Sequence, residues 1–454
     1  VELAQRPSIS WRFRALVASY ALSAYGNFLN LIALSLFTYE AVGSALGIGV
    51  VMALRLFSGM LAGLVAGALT TALGRRTVMI GADVAQALAM VLLAVGSRDP
   101  ALGLLLGAVV VLGAGNTFFT VALRSAVPVI VGHDARTRAN GLLVTARSVA
   151  TVLGYGSAAA IIALGGYALA FAVNGATFVV SAAAVLVLRP RTDTEDGTGD
   201  ETVAEDGTGD EPGPQTSPAR QRGSLGVRLG MGGIPALLLG TILLRGTDAF
   251  ASSSHNVALP IVASLESPDD PALFMTQFWA AWAIGTFLSH QLLKRLWREK
   301  AYGERAFAIG TGAMAVFFVC AFTGLPVPAL IAAALAAGIA DGCTEIVYVS
   351  RLQAAPERER NRLFGLSASA ETAGFTLGMI AAAAALEGFP VLAVVATFHG
   401  AALCGALALF LVTLARRHGG AERTTRSPGS TAPLSADEGE THGTRTGAGP
   451  LPRA

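Results

Sequence analysis

Thr194-Glu-Asp-Gly-Thr-Gly-Asp-Glu201, followed by Glu205-Asp-Gly-Thr-Gly-Asp-Glu211, lies in the least hydrophobic stretch of the chain and decides how the rest is read. Pro212, Pro214 and Pro218 come next, then Arg220, Arg222 and Arg228. Gly, Thr, Pro and acid at this density bury too little apolar surface to offset chain entropy, so residues 189–230 predict a disordered linker. On both sides the sequence is oily: the chain is 53% hydrophobic with a mean hydropathy of +0.59. The expected organisation is a membrane-embedded half over residues 1–188, the linker, a second half over 231–418, and a disordered tail rich in Thr, Gly, Ser and Pro over 419–454.

Composition agrees with helices in lipid. Charged residues are 14% of the chain, about half the share of an ordinary soluble domain. The 53 glycines suit close contact between helices. A net charge of +2 argues against nucleic acid as a partner. Cys320, Cys343 and Cys404 sit in separate apolar runs, a pattern that fits neither a disulfide framework nor a zinc site. Lys occurs only at Lys294 and Lys300, a bias toward Arg that fits a GC-rich bacterial genome. No cleavable leader pattern precedes the first apolar run, which reads as a retained span.

Crossing the hydrocarbon takes about 20 apolar residues. The first half offers six runs of that kind: Leu16–Phe37, Ala45–Leu69, Val78–Val95, Leu102–Val121, Leu142–Leu164 and Tyr167–Leu188. The second half offers six more: Ile234–Val262, Phe274–Leu296, Phe307–Phe322, Val327–Val349, Leu366–Leu386 and Val391–Ala415. The expected fold is therefore an all-α membrane protein of twelve transmembrane helices in two six-helix lobes.

Loop charges alternate along this order. Arg12 and Arg14 precede the first span, Arg75 and Arg76 follow the second, and Arg136 and Arg138 follow the fourth. Lys294, Arg295, Arg298 and Lys300 follow the eighth, Arg358, Arg360 and Arg362 the tenth, and Arg416 and Arg417 the twelfth. The intervening loops carry Arg98 beside acids such as Glu40, Glu266, Asp269, Asp270 and Glu387. By the positive-inside rule this predicts a multi-pass cell-membrane protein with both termini and the linker in the cytoplasm.

The halves echo each other. Arg124-Ser-Ala-Val-Pro128, followed by Arg136 and Arg138, stands where Arg351-Leu-Gln-Ala-Ala-Pro356, followed by Arg360 and Arg362, stands in the second half. Ala33-Leu34 after Asn30 matches Ala258-Leu259 after His255. An offset of roughly 225 residues, six spans to each half, is the pattern of a transporter built from parallel repeats.

Residues 13–188 resemble the major facilitator superfamily, in particular its drug:proton antiporter branch of macrolide-efflux-like permeases. The likeness rests on Tyr25-Gly26-Asn27, Tyr39–Leu46, Ala53-Leu54-Arg55-Leu56, Gly67–Arg76, Arg124–Pro128 and the run from Ala139-Asn140 to Arg147-Ser148. The second half matches more loosely. The resemblance implies alternating access between two lobes and export of a small organic molecule against proton entry. It also implies a gate loop after the second span of the form G-x-L-A-D-R-x-G-R-R. Gly67, Leu69, Gly74, Arg75 and Arg76 fit it, while Thr71 and Ala72 replace its Asp and Arg. Asn27 stands where relatives often carry Asp, and Gly154-Tyr155-Gly156 replaces a Gly-Pro step.

Ionisable groups within spans are costly to insert, by roughly 2.5–3.5 kcal/mol each, so each needs a reason. Asp341 and Glu345 lie one turn apart on the tenth span, where two carboxylates in low dielectric resist joint ionisation. They are proton-coupling candidates, or else structural ties to Arg351 or Arg124. Glu371 on the eleventh span is a third candidate for proton coupling. Asp248 is a fourth, with Arg245 three residues before it as its neutralising neighbour or as a cavity group. Arg55 is placed to attract an anionic substrate group or to pair with another helix, and Asp83 to tie to Arg75, Arg76 or Arg147 at the gate. Asn27, Asn30, His255 and Asn256 are polar candidates for the cavity lining. Trp279, Trp282 and Phe118, with Phe119, are candidates for stacking on a ligand or for ordinary packing. Gly59, Gly63 and Gly67 form a G-x-x-x-G ladder, read as packing.

Neither a nucleophile–base pair nor a metal-ligand cluster nor a phosphate-cradling loop is present in the sequence, so no enzyme activity and no cofactor are expected. The expected partners are a small-molecule substrate, protons and the lipid bilayer, with the chain acting as a monomer. Two other functions compete with proton-driven export. One is an uncoupled facilitator or importer of the same fold, favoured by Thr71, Ala72 and Asn27. The other is a non-transporting membrane sensor or scaffold that docks through the linker or the tail.

Overall fold

The computed structural model describes residues 10–98, 101–132, 135–189, 236–296, 303–355 and 357–425, and these are helical with short connections and no strand. The predicted linker, except for Arg189, and the tail beyond Thr425 lie outside the described residues. The helices are α1 (Trp11–Val42), α2 (Ala45–Leu73), α3 (Arg75–Gly96), α4 (Leu102–Val131), α5 (Arg136–Leu188), α6 (Ala236–Glu266), α7 (Pro271–Leu296), α8 (Glu304–Ala321), α9 (Val327–Gln353), α10 (Glu357–Leu386) and α11 (Val391–Thr425). Among the described residues, both helical halves belong to one compact unit, which runs to Thr413.

Eleven helices give twelve crossings because α5 is two spans in one. Its 53 residues would measure about 80 Å if straight, far more than a bilayer. The helical conformation fails at Gly165 and at Gly166, whose φ of 63° is open to glycine without strain. Here the chain reverses. A Cβ on Gly154 would touch the backbone of Tyr25 and Leu29 on α1, and one on Gly26 of α1 would touch Asn174 and Thr177. Both limbs of α5 therefore flank the same turns of α1. The break falls between the predicted spans Leu142–Leu164 and Tyr167–Leu188. Ten helices are long and apolar enough to cross a membrane on composition alone. The exception is α6, 31 residues long, which carries Arg245 and Asp248.

Three boundaries depart furthest from expectation, one of them the start of α10, at Glu357 instead of Leu366. The fourth span continues past Val121 to Val131 with Pro128 inside it, so that Arg124 is helical. The last helix continues past Ala415 to Thr425, through Gly419 and Gly420 and into the stretch expected to be disordered. Ala421, Glu422 and Arg423 are good helix formers, which favours that extension. The three cysteines are free.

Packing repeats between the halves. α1 lies on α5, α2 on α4, and α3 on α4; correspondingly α6 lies on α10, α7 on α9, and α8 on α9. The halves meet through α2 with α10 and α5 with α7, contacts that exchange when the two repeats are swapped. This is the symmetry of parallel repeats about an axis between the lobes.

The core shows where the lobes join. One continuous cluster contains Leu29–Phe37 of α1 and Ile48 of α2, together with Val257–Leu259 of α6 and Phe278 and Trp279 of α7. At the opposite end the core splits. One cluster around Phe13, Met79, Phe119 and Leu143 belongs to the first half, and another around Phe307, Tyr348 and Leu363 belongs to the second. The joined end is the end of the acidic loops. Hydrogen bonds cross there from Leu46 N–H to Glu387 Oε1 (2.8 Å) and from Ala159 N–H to Thr276 Oγ1 (3.0 Å). Gly49 packs against Ala383 so closely that a Cβ would collide. The lobes are closed at the acidic-loop end and parted at the basic-loop end.

Candidate functional site: a polar cavity between the lobes

A cavity of about 530 Å³ lies between the halves, lined by α1 to α5 on one side and by α6, α7 and α10 on the other. Its wall has an aromatic part and a polar part. Tyr155 of α5 stacks on Trp279 of α7 across the lobe boundary at 5.5 Å, and Phe28 meets Tyr155 edge-on at 5.3 Å. Phe375 of α10 lines the same space.

The polar part comes from the first half: Asn27 on α1, Arg55 on α2, Asp83 and Gln86 on α3, Asn116 on α4 and Arg147 on α5. Asn27 Oδ1, Arg55 Nη1 and Gln86 Oε1 are buried without a hydrogen-bond partner among the described residues, and the buried Asp83 carboxylate has Ser181 beside it. Asp83 and Gln86 are each only 1% exposed. An unsatisfied buried polar atom costs about 1–3 kcal/mol, more when charged, so a wall holding several is arranged for something that enters. Asn256 and Thr372 are the polar contributions of the second half.

A second cavity of about 470 Å³ lies toward the basic-loop end of the first half, between α4 and α5. Arg124, Arg136 and Arg147 line it with Asn140. Tyr20 and Arg147 border both cavities, so the two are neighbours along one route. Arg147 also lies over the Phe28 ring at 5.4 Å.

The second half holds a charge network beside the main cavity. Arg245 of α6 meets three carboxylates: Glu345 on α9 at 2.6 Å, Glu371 on α10 at 3.1 Å, and Asp248 one turn along α6 at 3.6 Å. Asp341, one turn before Glu345, also acts electrostatically on Arg245. Ser367 Oγ donates to Glu371 (3.2 Å), Tyr348 Oη donates to Ser367 (2.7 Å), and Arg245 lies over the Tyr348 ring at 5.7 Å. Residue 371 is next to Thr372, and Thr372, Phe375 and Met379 form the α10 stripe that lines the cavity. The network and the cavity thus share a helix.

The four predicted proton-coupling candidates, Asp248, Asp341, Glu345 and Glu371, are brought together around one guanidinium. The suggested ties of Asp341 or Glu345 to Arg351 or Arg124 do not form. Arg351 instead binds Glu304 at the start of α8 through Nε (2.8 Å) and Nη2 (2.6 Å), and Arg124 lines the second cavity. Asp83 does not tie to Arg75, Arg76 or Arg147; it faces the main cavity because α3 turns that side inward, away from the Arg76 end. Arg76 donates to the Leu186 carbonyl (2.9 Å), joining α3 to the end of α5.

Asn27, Arg55, Asn256 and Trp279 line the main cavity; Phe118 does not, and its neighbour Phe119 does. Adjacent residues on a helix point about 100° apart, which decides between the two. Trp282 packs edge-on against Trp279 at 5.6 Å, with its backbone against Gly338. Asn30 and His255 are buried rather than lining. His255 stacks on Phe318 at 3.9 Å and shares a hydrogen bond with His399 at 3.1 Å. Arg245 belongs to the charge network and not to the cavity wall. The glycine ladder packs at Gly59, against Gly113 and Thr117, and has opened out by Gly67. Gly74 makes the turn into α3 with a φ of 77°, which accounts for glycine there.

Gln86, Asn116, Arg147 and Tyr155 were not among the residues expected in the wall. Gln86 follows Asp83 by three and so shares its helix face, a signal the sequence does carry. Ser367 precedes Glu371 by four and shares its face of α10, a signal of the same kind. His399 has none, since its partner His255 lies on another helix.

The sequence profile of the Major Facilitator Superfamily matches residues 16–303. The chain belongs to the Major Facilitator Superfamily. Its members are membrane transporters, and transport across a membrane is the activity this fold serves. Among curated proteins none is significantly similar in sequence. Solved structures agree on the fold. The chain is similar to the POT family transporter PepTSo, with a TM-score of 0.66 at 11% identity, covering 90% of this chain and 99% of that one. It is also similar to a bacterial homologue of the iron transporter ferroportin in an inward-facing state, with a TM-score of 0.63 at 15% identity over 90% of this chain and 98% of that one. A bacterial homologue of the human lysosomal transporter Spinster, also inward-facing, aligns with a TM-score of 0.60 at 14% identity, covering 93% and 98%.

Proposed function

We propose that this major facilitator is a secondary-active exporter of a small amphipathic organic molecule, driven by proton exchange. The substrate occupies the cavity between the lobes, and rocking of the lobes exposes it to each side in turn. The observation that carries the coupling is the Arg245 network. One cation faces several carboxylates, which cannot all stay ionised there at equal cost, so proton uptake and substrate occupancy are linked through α10. An aromatic wall with unsatisfied polar atoms supports an amphipathic ligand. The direction of transport rests on the resemblance of residues 13–188 to efflux permeases.

In this reading the basic loops face the cytoplasm, so the conformation described is the inward-facing one, and the linker and both termini are cytoplasmic. The chain works as a monomer in the cell membrane. Everted vesicles with a pH-sensitive dye inside test the coupling: substrate should drive proton efflux, and Glu371→Gln or Asp341→Asn should abolish it. Normal proton flux in both variants overturns the assignment. Counterflow of substrate with no pH dependence would select the uncoupled facilitator, the reading favoured by Asn27, Thr71 and Ala72.

A further inference from the structure

The charges lining the substrate route have one dominant sign. The two neighbouring cavities present Arg55, Arg124, Arg136 and Arg147 and a single carboxylate, Asp83. None of these four arginines has an ion-pair partner among the described residues, and Arg55 Nη1 is buried with no acceptor. In the second half Asp248, Glu345 and Glu371 are gathered on Arg245 instead of lining this route.

The internal repeat sharpens this. In the second half Arg351 is neutralised by Glu304, at the start of α8. The repeat places Arg124 where Arg351 stands, and α3, the counterpart of α8, has no acid in its first turn where α8 has Glu304. The first half therefore lacks the acid that ties down the equivalent arginine. Arg124 instead borders a cavity whose other charged groups are also arginines. Positive charge in basic-end loops sets topology, but that role does not require Arg55 to stand in the cavity between the lobes with an unsatisfied guanidinium nitrogen.

We infer that the transported molecule is an amphipathic organic anion, a carboxylate, sulfonate or phosphate on an aromatic or aliphatic body. This rests on the exporter reading and names its substrate class. Arg124 and Arg136 draw the anion from the basic-loop side, and Arg147 hands it inward. Arg55 holds the anionic group by charge-assisted hydrogen bonds, and the body lies against Phe28, Tyr155 and Trp279. Asp83, which lines the cavity with Ser181 beside its carboxylate, accepts from a hydroxyl or N–H on the same molecule.

Two dyes that differ by one group test it: anilinonaphthalene sulfonate, and N-phenylnaphthylamine, which keeps the N–H and rings without the sulfonate. Binding is read by energy transfer from Trp279 in the full chain with Trp11, Trp282 and Trp297 changed to Phe. The sulfonate should bind saturably and more weakly in high salt. Arg55→Gln and Arg147→Gln should each weaken it tenfold or more while leaving the neutral dye within twofold, and Arg55→Lys should recover most of the loss. Arg124→Gln should slow association severalfold. Sulfonate affinity unchanged in both Arg55→Gln and Arg147→Gln overturns the inference, as does equally tight binding of the uncharged dye to the unsubstituted arginines. Flux in everted vesicles separates the two readings. Transport of the cation ethidium without sulfonate binding removes the anion but leaves the exporter. Sulfonate binding with no flux of any dye supports the anion and counts against the exporter.

Discussion

Arg245 Nη2 lies 2.6 Å from Glu345 Oε2, joining α6 to α9 across the second lobe, while its Nε holds Glu371 of α10 at 3.1 Å. One guanidinium thus fastens three helices. Removing it leaves three carboxylates facing one another. Breaking a buried pair by deleting one partner costs about 3–5 kcal/mol, and Glu345 and Glu371 are partly exposed, so the lower end applies. Arg245→Gln should lower the unfolding midpoint in detergent and abolish transport. Adding Glu345→Gln to it should restore part of the stability and none of the transport. Thermal unfolding followed by tryptophan fluorescence reads the first, and vesicle flux the second.

Gly374 of α10 faces the carbonyl of Gly246 on α6, and Gly378 faces Phe250. A Cβ at either place collides with backbone, which cannot move aside as a side chain can. Gly374→Val should destabilise the second lobe by about 1–3 kcal/mol and displace Glu371 from Arg245. Substrate-driven proton flux should fall with stability here, whereas Gly365→Val, in open space, should leave both near the starting level.

The acidic-loop end is closed by Leu46 and Glu387. With Cys320, Cys343 and Cys404 replaced, Leu46→Cys with Glu387→Cys should cross-link readily in the resting protein through a short bifunctional reagent. The cross-linked form should bind substrate from the basic-loop side and fail to transport. Reduction or omission of the reagent should restore flux. Full transport by the cross-linked form would mean that this end does not have to open.

The proposed orientation rests on loop charge. Asp269→Cys, in the turn between α6 and α7, should react with an impermeant maleimide on intact cells. Cysteines placed at Thr208 and Ser435 should react only after permeabilisation. Labelling of those two from opposite sides would break the two-lobe topology.

Much of the architecture is legible in the chain itself. Span length is set by bilayer thickness and composition by lipid, so apolar runs and loop charges located each crossing, while the helices α4, α10 and α11 extend well beyond their apolar runs. The reversal at Gly165-Gly166 falls in the gap left between the fifth and sixth apolar runs. α6 shows the limit of composition alone: Arg245 and Asp248 lower its hydropathy, yet the loop charges on either side require a crossing there.

The functional site divides differently. The sequence marks which ionisable residues sit within spans, because burying charge in lipid is costly wherever the helix goes. It does not say which of them meet. Glu371 is more than a hundred residues from Arg245, Asp83 turns toward the cavity rather than to Arg76, and Phe119 rather than Phe118 reaches the wall. Those choices depend on the rotation of each helix about its axis and on which helix lies beside it, and both are fixed by packing between distant segments. Composition and periodicity determined that this chain is a bundle of spans in two repeats; only the tertiary structure decided that its carboxylates gather on one arginine while its cavity is left to the others.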